Sequence, residues 1–109
     1  MTGNEYQEKA MRTLCVFSPN EQVYHGVFLL ASEAGEVAGI LQKEFQGHDV
    51  DVEHVKKELG DCLWAIAEIA EGFGLTLNEI MTANIEKLQK RYPNNFTVDR
   101  SLNRNKEDV

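Results

Sequence analysis

The sequence predicts an all-α protein: an antiparallel bundle of about four helices that assembles as a homo-oligomer. Three observations carry this. No segment sustains the period-two alternation of a half-buried strand. Helix-start residues recur ahead of long stretches with helical apolar spacing, and glycine or proline closes those stretches. The second such stretch is apolar or small around more of its circumference than one buried stripe requires, which calls for a further packing partner.

Taken in order, Asn4 and Gln7 have the spacing of a capping box and open a first helix that runs to about Leu14. Ser18-Pro19-Asn20-Glu21 is a stronger start: serine as the cap, proline at the first helical position, glutamate completing the box. The helix that follows ends near Phe45, with Gly47 as its stop. Asp51 caps a third helix, from about Val52 to Phe73, with Val50 and Val55 spaced as a hydrophobic staple and Gly72 and Gly74 at its end. Thr76 and Glu79 form another box, and the fourth helix reaches about Tyr92, where Pro93 stops it. Residues 1–93 thus read as one domain and 94–109 as a polar, irregular C-terminal tail.

A chain of 109 residues builds a single small core, so association with further copies helps to bury apolar surface. The net charge of −7 and a pI near 4.9 repel a nucleic acid polymer, and they repel a polyphosphate too unless a cation intervenes. No apolar run approaches membrane-spanning length, and the polar Met1–Ala10 segment is not a signal peptide. Cys15 and Cys62, in apolar surroundings, read as reduced core residues, which suits a cytoplasmic setting.

The chemistry lies in two acid pairs, Glu33 with Glu36 and Glu58 with Asp61, each spaced i, i+3 on one helix face. The first pair stands between Phe28–Ser32 and Val37–Leu41, and Asp61 stands between Leu59-Gly60 and Cys62–Ala65. Neither Glu33 nor Glu36 has a lysine or arginine three or four residues away. If the helices pack antiparallel, the acids converge, and at about 6 Å and an effective dielectric near 20 each pair repels by about 3 kcal/mol. That is a large share of the roughly 5–15 kcal/mol that holds a domain together. A bound divalent cation removes the conflict, and all-oxygen ligation suits Mg²⁺ or Mn²⁺. The alternative is a set of solvated acids on outer helix faces, the reading given to Glu68, Glu71 and Glu86.

Glu33-Ala-Gly-Glu36 followed by Glu58-Leu-Gly-Asp61 resembles the E-x-x-E … E-x-x-D metal signature of MazG-like nucleotide pyrophosphohydrolases, of the short bacterial and phage type. The likeness extends through Leu59–Trp64, through Asn84-Ile-Glu-Lys87-Leu88-Gln-Lys-Arg91-Tyr92-Pro93, and to the opening Asn4–Gln7 with Met11–Thr13. One departure is Ser32, where many members carry a further acid. The resemblance implies an all-α homodimer or homotetramer that cleaves a nucleoside triphosphate between its α- and β-phosphates with Mg²⁺, giving a monophosphate and pyrophosphate. Glu33, Glu36, Glu58 and Asp61 are then metal ligands and catalytic groups, Glu33 serving as a ligand or as the base for water.

Asn84, Lys87 and Arg91 share one face of the fourth helix, and the cations complement phosphate oxygens, unless that face is simply solvated. Trp64, one turn beyond Asp61, can stack on a base or fill the core. His25 and Gln22 share the Glu36 stripe and are candidates to read a base edge. Two other classes compete. A carboxylate-bridged di-iron bundle needs Glu-x-x-His pairs, and the chain has none. A helical protein that binds a nucleotide or a partner helix without cleaving it stays open.

Overall fold

The computed structural model describes residues 1–15 and 18–109. Among these residues there is no strand; there are α1 (Gly3–Ala10), a 3₁₀ turn (Met11–Thr13), α2 (Pro19–Phe45), α3 (Val52–Gly72), α4 (Leu77–Arg91) and α5 (Val98–Leu102). None of these helices is long and apolar enough to cross a membrane. The chain forms two compact units, Met1–Leu77 and Asn78–Val109.

In the first unit α2 and α3 form an antiparallel hairpin. The start of α2 meets the end of α3, with His25 against Glu68 and Gly72 against Val23. Further along, Glu33 meets Glu58 and Asp61. The caps behave as their chemistry dictates. Ser18 Oγ accepts from the Glu21 amide and donates to its carboxylate, with proline in the first turn. Asp51 accepts from the amides of Glu53 and His54. Gly47 follows α2 at φ 102°, a left-handed conformation that costs glycine nothing.

The helices approach closely where glycine permits it. A Cβ on Gly26 would stand 2.6 Å from Ile69 Cγ1, and one on Gly72 would stand 2.9 Å from the Pro19 carbonyl oxygen. The buried apolar residues of α3 are accordingly small: Ala65, Ala67 and Ala70. The opposite face of α2 keeps large apolar groups in solvent, with Phe28 70% and Phe45 94% exposed.

Several expectations are corrected. Asn4 is no cap: Thr2 accepts from the Glu5 amide, and the α-helix passes into the 3₁₀ turn that ends at Thr13. Gln7 is buried instead, because its amide has three tertiary partners. It donates to Glu71 Oε2 and the Leu75 carbonyl and accepts from the Leu77 amide. Tertiary hydrogen bonds have outcompeted the local box. Glu68 is not a solvated acid: it is fully buried, and both of its oxygens lie 2.8–2.9 Å from His25 Nδ1. Cys15 is exposed rather than in the core; Cys62 is half-buried, and both are free thiols. The tail is not wholly irregular, since Thr97 caps α5 by accepting from the Arg100 amide.

Candidate metal centre

The hairpin brings three of the four predicted acids together. Glu33 on α2 and Glu58 and Asp61 on α3 each offer an oxygen, and all three lie within 4.8 Å of one another. The i, i+3 spacing puts Glu58 and Asp61 on one face of α3, and the antiparallel register sets Glu33 opposite them. Glu36 is exposed and stands outside this triplet, although its charge still acts on Glu33.

The electrostatics follow from the crowding. Partial burial, a side-chain contact with Glu58, and the charges of Asp61, Glu58 and Glu36 all push the Glu33 carboxyl above its ordinary pKa. Each cause disfavours a further negative charge. His54 Nε2 lies 3.1 Å from Glu58 Oε1, a contact absent from the sequence reading, and it brings an ionisable partner to the edge of the cluster. Tyr6 on α1 was missed as well. Burial, then the charge of Asp61, raises its phenol. Nothing local signals this, because Tyr6 and Asp61 are neighbours only after folding.

This donor set fits a hard divalent cation. It is all oxygen, anionic, and drawn from two rigid helices. Glu33, Glu58 and Asp61 would hold such an ion after modest side-chain rotation, and it would supply positive charge to phosphate oxygens.

The other candidates are held as follows. Trp64 donates its indole N–H to the Ala10 carbonyl (3.0 Å) and Thr13 Oγ1 (3.1 Å), tying α3 to the end of α1. His25 is oriented through Nδ1 by Glu68, and Gln22 is half-buried one turn earlier on α2. In the second unit, Asn84 is exposed on α4. Lys87 Nζ donates to the backbone oxygen of Val109 (2.9 Å), and Arg91 makes a two-pronged ion pair with Asp108.

Comparison with known proteins settles the family. The MazG nucleotide pyrophosphohydrolase domain matches residues 27–96. The chain belongs to that family. The matched span contains all four acids and Asn84, Lys87 and Arg91, whereas Tyr6, Gln22, His25 and Asp108 lie outside it. The chain is also similar to the Gene 37 protein of Mycobacterium phage L5, at 31% identity over 67 residues. That alignment covers 57% of this chain and 59% of the phage protein, so the chain spans about three-fifths of its relative. No solved structure matches.

Proposed function

We propose that the protein is a Mg²⁺-dependent nucleoside triphosphate pyrophosphohydrolase, with Mn²⁺ as an alternative ion, that converts a (d)NTP to its monophosphate and pyrophosphate in nucleotide-pool housekeeping. The observation that carries this reading is the triplet of carboxylate oxygens within 4.8 Å, inside the span matched by the MazG domain.

Glu33, Glu58 and Asp61 hold the ion, and Glu36 adds a fourth anionic group beside them. A divalent ion there neutralises phosphate charge and polarises phosphorus. Glu33 serves either as one of those ligands or as the base that takes a proton from the attacking water, since crowding by the neighbouring carboxylates raises its affinity for a proton. The bond that breaks joins the α-phosphorus to the bridging oxygen, and pyrophosphate leaves. Asn84, Lys87 and Arg91 supply an amide and two cations for phosphate oxygens. Trp64 offers a ring face for stacking, and His25 and Gln22 offer polar edges to the base. Association into a dimer, or a dimer of dimers, covers Tyr24, Phe28 and Phe45, since an exposed apolar face of that kind marks an interaction surface.

The test is a panel of nucleotides with Mg²⁺, followed by chromatography of products quenched early. Pyrophosphate and a monophosphate are expected; a diphosphate with inorganic phosphate would refute the reaction class. Nucleotide binding with no turnover would make the protein a non-catalytic binder. Glu36→Gln and Asp61→Asn should each cut turnover by about a hundredfold or more, the equivalent of about 3 kcal/mol of transition-state stabilisation. Their helical circular dichroism should be unchanged. Wild-type rates in either variant would sink the site assignment.

A further inference from the structure

In the second unit, the cations read as phosphate contacts are already occupied by an anion of the chain itself. Asp108 Oδ1 lies 2.7 Å from Arg91 Nη2, and Asp108 Oδ2 lies 2.7 Å from Arg91 Nε. Both side chains are largely shielded, 11% exposed for Arg91 and 15% for Asp108. This fork-on-fork geometry is the one a guanidinium offers to a phosphate. Arg91 does not act alone. Its hydrogen bonds, opposed in part by burial, lower the Asp108 pKa, and the charges of Arg104 and Lys87 lower it further. Lys87 meanwhile holds the backbone oxygen of Val109, the next residue. Beside the pair lies a cleft of about 290 Å³ whose lining includes Lys90, Arg91, Arg100, Arg104, Asn103 and Asp108. In a chain of net charge −7, a cleft lined by Lys90, Arg91, Arg100 and Arg104 with a single carboxylate, Asp108, is locally cationic.

We propose that Lys87, Arg91 and Arg104 form a phosphate-binding site of the second unit, occupied in the free protein by Asp108 as an internal anion. A phosphorylated ligand must displace the Asp108 segment to bind. The proposal rests on the reading of Lys87 and Arg91 as phosphate contacts, and it adds Arg104 as a third contact and Asp108 as a competitor. Asp108 lies outside the span matched by the MazG domain, so the competitor is a feature of this chain's tail. Apparent affinity falls by the fraction of time the site stands open, so an internal anion acts as a built-in brake on weak phosphate ligands.

Calorimetric titration with inorganic pyrophosphate, in chelator so that no metal contributes, tests this in the full-length protein. Asp108→Asn keeps the side chain's size but removes the competing charge, and it should tighten pyrophosphate binding about tenfold. Adding Arg104→Gln to that variant should return most of the gain. In the wild type, pyrophosphate should shift the NMR signal of the Arg91 Nε–H and loosen the backbone of Glu107–Val109. Pyrophosphate binding no tighter in Asp108→Asn, or loss of that variant's cooperative melting, would make the ion pair a structural clasp and overturn the proposal. So would a wild-type tail that pyrophosphate leaves unmoved. Tightening without any nucleotide hydrolysis would support the internal anion while removing the enzymatic reading. Arg91-dependent hydrolysis without tightening would do the reverse.

Discussion

Gly26→Ala probes the contact that sets the spacing of the helix hairpin. The added Cβ would lie 2.6 Å from Ile69 Cγ1, 3.2 Å from the Ile69 backbone nitrogen and 3.2 Å from Glu68 Oε1. None of these atoms yields easily. Cγ1 is near the root of its side chain, the nitrogen belongs to α3, and the carboxylate is pinned by His25 at 2.8–2.9 Å. The helices must therefore move apart, at a cost of about 1–3 kcal/mol for overpacking. Alanine recovers about 1 kcal/mol through its better helix propensity. We expect a net loss of about 1–2 kcal/mol, because separating the helices also stretches the hydrogen bonds between His25 and the fully buried Glu68 carboxylate. For 109 residues the unfolding entropy near Tm is about 0.23 kcal/mol/K. The melting temperature should then fall by about 4–9 °C. Circular dichroism melts in chelator, at one fixed protein concentration, give the comparison without ligand or association effects. A variant that melts at or above the wild-type temperature would show that the hairpin does not need this close approach.

Two further outcomes follow from the same structure. The folded-state pKa of Glu33 is raised, so the native protein holds its proton where the unfolded chain has released it. In chelator, stability should fall as pH rises from the ordinary carboxylate value of 4.5 through the raised folded value. Glu33→Gln should flatten that limb, and melts from pH 4.5 to 8 would expose an identical slope in the two proteins, which would refute carboxylate repulsion. For the exposed face of α2, Phe28→Glu should drive the protein toward a 12.3 kDa species in sedimentation at micromolar concentration. A fully active wild type already sedimenting at that mass would remove the case for a homo-oligomer.

Most of the secondary structure was legible because its signals are local. Ser18-Pro19 and Asp51 satisfy amides within their own helical turn, and Gly47 needs only its own backbone freedom. The two acid pairs were legible for a similar reason: i, i+3 spacing fixes a shared face before any packing is known. The sequence alone thus determined the all-α class, the two long helices and the pairing of acids on shared helix faces. Only the tertiary structure decided which acids meet. It set Glu33 against Glu58 and Asp61 and left Glu36 at the side, because the register of an antiparallel pair depends on where glycines let the helices close. It buried Glu68 on His25, turned Gln7 from a supposed cap partner into a tertiary clasp, and brought Tyr6 to Asp61. It also folded the tail's Asp108 onto Arg91, across a proline and a short helix. These pairings join residues from 17 to 70 positions apart. A linear pattern shows that such polar groups need partners, and only the folded chain determines which partners they find.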